Sequence, residues 1–152
     1  MRFMIILAGL LLFIGSAAGQ DTSVLQIETG GEANPSFTVE IADTPELIAQ
    51  GLSARETLGP DAGMLFNYGD PGNATRSMVG VDIPLDVLFI NSSGRVIAIV
   101  RSTTPQSRKE MSAGATVKAI LEINAGRSAQ LEIQPGALVR HALFGTEIST
   151  SE

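Results

Sequence analysis

Residues 85–100 read LDVLFINSSGRVIAIV, two apolar runs separated by four small or polar residues. Each run, 85–90 and 95–100, has the length and the β-branched content of a strand. Gly94, the last residue of the linker, can take the positive φ that a tight reversal of the chain requires. The stretch therefore predicts a β-hairpin, and because both runs are apolar on both faces, we expect it near the centre of a sheet.

The residues after the hairpin predict two further strands. Apolar residues at 117, 119, 121 and 123 alternate with Lys118 and Glu122, which is the period of a half-buried strand. After them, a single helical turn fits residues 127–131, and Pro135-Gly136 forms a turn before a last strand over 138–144. The only histidine of the chain, His141, falls in that last strand.

The residues before the hairpin predict two strands and one helix. Residues 37–41 alternate as a strand does, and residues 63–66, Gly-Met-Leu-Phe, form a second apolar run. Between them, Thr44 can cap a helix that has Pro45 at its first position and Gly51 at its end. This is the one helix of several turns that the sequence predicts.

These elements predict a mainly β protein, an antiparallel jelly-roll-like sandwich or barrel with one short helix near the start. Glycine- and proline-containing segments at 67–74 and 103–114 are expected to be exposed loops. The β domain is expected to cover residues 36–146, after a flexible lead-in at 20–35 that has at most an edge strand. Residues 147–152 are expected to form a frayed tail.

The first nineteen residues have the pattern of a cleavable export signal. Arg2 precedes an apolar run of about a dozen residues, which is shorter than the roughly 20 needed to span a bilayer. Small residues follow, so we expect cleavage after Ala18 or Gly19, with an uncleaved membrane anchor as the alternative. The mature protein is then expected in the periplasm or outside the cell, with no membrane contact.

Composition excludes several chemistries. The chain has ten basic and sixteen acidic residues, for a net charge of −6, which becomes −7 when Arg2 is removed with the signal. An acidic protein lacks the cationic surface that neutralises phosphates, so nucleic acid is not an expected partner. The absence of cysteine excludes thiol catalysis and thiolate metal sites, and a single histidine makes a metal centre or a serine-histidine pair improbable. We expect no cofactor.

The order of short motifs between residues 37 and 139 resembles domain of unknown function family 192. The motifs are Asp43-Thr44-Pro45-Glu46, Gly51-Leu52 with Arg55, Gly63-Met64-Leu65-Phe66, Ile83-Pro84-Leu85-Asp86, Phe89-Ile90, Gly94 with Val96, and Leu121-Glu122 with Gly126. The resemblance implies a jelly-roll-like β fold and frequent export in bacteria. It implies no established activity.

One segment departs from the family pattern. Where the family typically has Phe-Trp-Met-Lys-Asn-Thr before Ile-Pro-Leu-Asp, this chain has Arg76-Ser77-Met78-Val79-Gly80-Val81 and keeps only the methionine. If those residues form the functional site of the family, that site is altered here.

Five residues are candidates for a binding site: Arg55, Met78, Asp82, Asp86 and Glu122. Arg55 and Asp86 can instead pair with each other or satisfy backbone groups, since a buried charge needs a partner. Asp82 and Asp86 could lie on one face of an extended segment as an acid and base pair. Methionines at strand spacing are more often core residues than ligand contacts, so Met78 is expected in the core.

Three functions fit these observations. The first is a non-catalytic binding module whose loops, including residues 67–80 and 103–114, contact a small molecule or an envelope protein. The second is a carboxylate-dependent hydrolase that uses Asp82, Asp86 or Glu122. The third is an envelope assembly factor.

Overall fold

Nine strands and three short helices make up residues 20–32 and 34–148, which are the residues that the computed structural model describes. The strands are β1 (Thr22–Glu28), β2 (Ser36–Ala42), β3 (Ala62–Gly72), β4 (Thr75–Arg76), β5 (Leu85–Ile90), β6 (Val96–Val100), β7 (Met111–Ser112), β8 (Val117–Asn124) and β9 (Leu138–Arg140). The helices are α1 (Pro45–Gln50), α2 (Arg127–Gln130) and a 3₁₀ turn, Ala142–Phe144. The predicted signal peptide, residues 1–19, lies outside the described residues.

Seven strands form one curled sheet in the order β6-β5-β8-β3-β2-β1-β9, and β4 and β7 form a separate two-stranded ribbon. The mainly β fold class is therefore confirmed. One detail differs from the antiparallel expectation, because β2 and β3 pair in parallel. Parallel neighbours need a crossover connection, and here residues 43–61, which contain α1, supply it.

The two edges of the sheet meet at one end, which gives the curl its closure. Arg95 forms a β-bridge to Leu138, and the Val139 amide donates to the Gly94 carbonyl at 2.7 Å. Gly94 has φ 78°, and a Cβ atom there would lie 2.8 Å from the Val139 carbonyl oxygen. Glycine is thus required both by the hairpin turn and by the close approach of β9.

Two apolar cores lie on opposite faces of the sheet, because side chains alternate between the faces along each strand. The inner core draws on strands at both edges and includes Leu25, Ile27, Val39, Leu65, Leu88, Leu121 and Val139. The outer core lies between the sheet and the segments that cover it, and includes Met64, Phe66, Met78, Leu85, Val87, Phe89 and Ile120. Helix α1 packs on the outer core through Leu47 and Ile48.

The predicted hairpin and helix are confirmed, with one correction to the hairpin. The turn at 91–94 joins β5 to β6, and Thr44 caps α1 by accepting a hydrogen bond from the Leu47 amide at 3.2 Å. However, β6 is an edge strand, so the hairpin does not lie at the centre of the sheet. Apolar composition did not distinguish the two positions because β6 is only half buried after Val96.

Three predicted boundaries are wrong. Residues 20–35, expected to be flexible with at most an edge strand, contain β1, which lies between β2 and β9 and buries Leu25 and Ile27. Strand β3 continues to Gly72, so most of the loop predicted at 67–74 is strand. The last strand ends at Arg140, because the His141 ring accepts a hydrogen bond from the Leu143 amide and caps the 3₁₀ turn. No helix among the described residues has the length and hydropathy of a membrane span.

Candidate functional site

Asp86 is completely buried on the inner face of β5 and accepts four hydrogen bonds. The donors are the amides of Ser102 at 2.9 Å, Gly126 at 3.1 Å and Ser128 at 2.9 Å, and the Ser128 hydroxyl at 2.6 Å. The carboxylate therefore ties Ser102, two residues after β6, and the start of α2 to the sheet. Asp86 thus satisfies backbone groups, which is one of the two alternatives that the sequence left open. All four of its hydrogen bonds come from the protein itself.

Arg55 pairs with Glu40 of β2 and not with Asp86, so the expected Arg55–Asp86 pair is wrong. The guanidinium meets the carboxylate in a two-pronged contact, with Nη2 to Oε2 at 2.6 Å. This hydrogen bonding lowers the pKa of Glu40 and raises the pKa of Arg55. The pair fixes the chain that follows α1 against β2.

Asp82 is exposed and supports the same loop as Asp86. It accepts a hydrogen bond of 2.5 Å from the side-chain Nε2 of Gln106. The backbone amide of Gln106 donates to the Val81 carbonyl at 3.0 Å. Gln106 has φ 59°, and Ser102, which Asp86 holds, has φ 51°. Residues other than glycine adopt this region at a cost, so the two aspartates hold residues 102–106 in a strained and defined conformation.

A recess that we call the loop pocket lies against this held segment. Its volume is about 390 Å³, and its lining comes from Met78 and from residues 100–112. Met78 and Met111 are buried apolar groups of the lining, and serine and threonine hydroxyls and Lys109 add polar groups. The Met78 amide donates to the Ser107 carbonyl at 3.0 Å, which joins the two halves of the lining.

Glu122 is on the outer face of β8, opposite to Asp86. The register pairs Asp86 with Ile123 and Val87 with Glu122, and neighbouring positions of a strand point to opposite faces. Glu122 is 1% exposed and accepts a hydrogen bond of 2.9 Å from Arg76 Nε, while its second oxygen, Oε2, is buried without a partner. Burial raises the pKa of Glu122, and Arg76 opposes this effect.

Arg76 is a site residue that the sequence analysis missed. Its guanidinium lies 3.9 Å from the centre of the Phe66 ring, and Nη1 donates to the Ile48 carbonyl near the end of α1 at 3.2 Å. The hydroxyl of Tyr68 is buried without a partner, and burial raises its pKa, with nearby Arg76 lowering it and Glu122 raising it. The available signal was the arginine at the position where the family has an aromatic residue.

A second recess, which we call the α1 groove, lies between α1 and residues 75–81. Its volume is about 520 Å³, and Arg76, Ile48, Val79 and Val81 line it. Val79 is 57% exposed, and it and Val24 are the two large apolar side chains that are more than half exposed among the described residues. Thr75 and Arg76 of β4 line the groove and Met111 and Ser112 of β7 line the loop pocket, so the recesses lie on the two sides of the ribbon and adjoin at Glu110, which lines both.

The candidate carboxylates do not converge on one centre. Asp86 and Glu122 lie on opposite faces of the sheet, and Asp82 is exposed beside Gln106. Within residues 20–32 and 34–148, no three His, Cys, Asp or Glu side chains come together as metal ligands. Of the five predicted site residues, Met78 lines the loop pocket, Asp82 and Asp86 support it, and Arg55 and Glu122 lie in ion pairs with Glu40 and Arg76.

The wild-type protein is expected to lose stability as pH rises, because Glu122 must ionise while it is buried. Replacing Glu122 with glutamine is expected to remove this dependence on pH. Because burial raises the pKa of the folded glutamate, its contribution to the free energy of unfolding is fully present below the ordinary value of about 4.3. That contribution is lost as pH rises through the folded pKa. Urea denaturation at a series of pH values from about 3 to 8 measures it, as the free energy of unfolding of the wild type minus that of Glu122→Gln.

Glu40→Gln is the matched control with the opposite sign. The pKa of folded Glu40 is lowered by Arg55, so its contribution is present above the ordinary value and is lost as pH falls through the folded pKa. Differences from wild type that run in the same direction for both variants would contradict these assignments.

Comparison with known proteins places this fold in a family. A family model described as "Uncharacterized ACR", DUF192, matches residues 25–141. The crystal structure of a "putative transcription regulator" from Sinorhizobium meliloti 1021 is 31% identical, with a TM-score of 0.79, covering 82% of this chain and 96% of that one. No curated protein matches the chain.

A second solved structure is similar. A protein of unknown function from Novosphingobium aromaticivorans DSM 12444 is 32% identical, with a TM-score of 0.78, and the match covers 83% of this chain and 89% of that one. The family model matches well over half of the residues. The chain belongs to domain of unknown function family 192.

Proposed function

We propose that the protein is a non-catalytic binding module and that the loop pocket holds its ligand. The observation that supports this function most is the bracing of residues 102–106, where Asp82 and Asp86 hold two residues with left-handed backbone beside an open recess. Strained residues persist only where the surroundings enforce them, and they cluster at ligand sites. A pocket that is held in shape before binding loses less entropy on binding.

The size and lining of the pocket favour a small ligand with an apolar body. Ligand sites commonly have volumes of about 300–1,000 Å³ and are mostly apolar with a few polar groups. The loop pocket, at about 390 Å³, has Met78, Met111 and Val100 on its apolar side and Thr104, Ser107 and Lys109 on its polar side. Methionine side chains adapt to ligands of different outline, which suits a binding surface.

The test is a thermal-shift titration with neutral probes, benzyl alcohol, hexanol and N-methylbenzamide. A probe at ten times its Kd stabilises the native state by roughly 1.4 kcal/mol, which raises the Tm by about 3–6 °C for a domain of this size. Thr104→Trp places a large side chain in the pocket from an exposed position and is expected to abolish the rise. If no probe raises the Tm, the proposed pocket is wrong.

Thr38→Trp is the matched control. Thr38 is an exposed threonine of β2 that lies outside the loop pocket lining, so its replacement is expected to leave the rise intact. The chain has no native tryptophan, so each variant also carries a single fluorescent reporter of its own site. Loss of the rise in both variants would mean that the probes do not bind in the loop pocket.

Export remains part of this proposal. The start of β1 at Thr22 supports it, because cleavage after Ala18 or Gly19 leaves that strand complete. Gln20 Nε2 donates to the Ile41 carbonyl at 2.9 Å, so the first residue that both cleavage positions retain already contacts β2. Intact mass of the secreted protein tests this, since a mass that includes Met1 contradicts cleavage.

Nucleic acid is not a partner in this proposal, despite the description of the Sinorhizobium relative. The net charge of −6 opposes the neutralisation of phosphates, which dominates the affinity of proteins for DNA. Filter binding of duplex DNA at low salt is expected to show no retention.

A further inference from the structure

We propose that the α1 groove is a second binding site, for a small amphiphile whose anionic head group binds Arg76 and whose apolar body lies along Ile48, Val79 and Val81. The site is separate from the loop pocket, because the β4–β7 ribbon lies between them and Arg76 lines only the groove. The inference therefore does not depend on the proposed function.

Arg76 has hydrogen-bonding capacity to spare in the groove. Nε donates to Glu122 and Nη1 to the Ile48 carbonyl, and the Tyr68 hydroxyl lies near enough to interact with the guanidinium, so at least two of its five N–H groups are left over. The Arg76 side chain is 12% exposed and lines the groove. An arginine has five N–H donors in a fork that matches carboxylate, phosphate and sulfonate oxygens.

Gly51, which has no side chain, lies directly beside Nη2 of Arg76. It ends α1, and a Cβ atom there would lie 2.9 Å from Arg76 Nη2 and 3.3 Å from the Phe66 ring. Any larger residue would crowd the guanidinium or displace it. The lack of a side chain at Gly51 therefore allows the guanidinium to lie against the end of α1 in the position described.

The charges behind the groove favour an anion over a cation. Glu122, the ionic partner of Arg76, is 1% exposed and does not line the groove, so a cationic ligand cannot reach it. Burial also disfavours its charged form, with Arg76 and Tyr68 as the other titratable groups that face it. Glu110 of the wall is exposed, and water and salt screen its repulsion of an anion.

The walls accommodate an alkyl chain. Ile48 and Val81 pack on the outer core, and the exposed Val79 extends this apolar surface to the outside. Val79 is 57% exposed, so covering it with an apolar ligand is favourable because apolar surface is removed from water. An amphiphile matches this arrangement, because its anionic group can bind Arg76 while its apolar chain lies along Val79 and Val81.

The test is calorimetric titration of the protein at pH 7 with octanesulfonate below its micelle concentration, since a sulfonate stays charged throughout. Arg76→Met is expected to weaken binding by at least about tenfold, the effect of losing a charge-assisted hydrogen bond. Glu122→Gln is expected to bind octanesulfonate at least as tightly as the wild type, because it removes any negative charge opposite Arg76. Arg76→Lys keeps the charge and covers the case in which Arg76→Met does not fold.

Val79→Asp tests the groove without touching the core. It is expected to weaken octanesulfonate binding, while Val24→Asp, at another exposed valine and with the same change in net charge, is expected not to. Thr104→Trp is also expected to leave this binding unchanged, which separates the groove from the loop pocket. Octyltrimethylammonium binding as tightly as the sulfonate, no detectable sulfonate binding, or equal effects of the two valine variants would overturn the proposal.

Discussion

Replacing Asp86 with asparagine is expected to lower the free energy of unfolding by about 3 kcal/mol or more. The carboxylate is completely buried and accepts bonds from the backbone at Ser102, Gly126 and Ser128. An amide has one acceptor oxygen, so even when that oxygen takes the place of Oδ2 its NH₂ group faces the Ser102 amide donor, and the three remaining hydrogen bonds lose the charge of their acceptor. Each buried donor left without an acceptor costs about 1–3 kcal/mol.

Asp82→Asn is the matched control for that experiment. Asp82 is exposed and accepts one side-chain hydrogen bond from Gln106, so its replacement is expected to cost about 1 kcal/mol or less. Urea denaturation at pH 7 measures both variants. Equal and small losses would show that Asp86 does not hold the two loops together, and would remove the structural basis of the loop pocket.

Gly94→Ala is expected to cost about 3 kcal/mol, for two reasons that add. The backbone at Gly94 has φ 78°, which an alanine adopts at a cost of roughly 1 kcal/mol. The new Cβ would also lie 2.8 Å from the Val139 carbonyl oxygen and 3.2 Å from Phe144 Cβ, and overpacking of this kind costs about 1–3 kcal/mol. The strand edge that closes the sheet must move to relieve the contact.

Gly114→Ala separates the two causes. Gly114 has φ 66°, close to that of Gly94, but a Cβ atom there would meet nothing within 4 Å. Its replacement is expected to cost only the backbone term, roughly 1 kcal/mol. Equal losses of stability in the two variants would mean that β9 does not approach Gly94 as closely as described.

Local patterns predicted the local elements well. Alternating apolar residues identified β2 and β8, and Thr44, Pro45 and Gly51 identified both ends of α1, because capping is decided by neighbours in sequence. Strand order was less predictable. The burial of β1 depends on its pairing with β9, more than a hundred residues later. The polar residues around β1 gave no indication of that pairing.

The site was less predictable than the fold because its contacts are distant in sequence. Asp86 was recognised as a charge that needs partners, but its donors lie 16, 40 and 42 residues away and no local pattern indicates them. Arg76 was visible as a departure from the family pattern. Its pairing with Glu122, 46 residues later, became apparent only from the register of β3 and β8 and the position of the ribbon.

The most direct test of the central claim, that aspartates brace a ligand pocket they do not line, is ¹³C NMR of the methionine methyl groups during titration with the neutral probe that raises the Tm. The described residues contain three methionines, all in the outer core, and Met78 and Met111 line the loop pocket while Met64 does not. We expect the methyl signals of Met78 and Met111 to shift together and saturate, with little change at Met64. A rise in Tm without movement of either pocket signal would contradict the account.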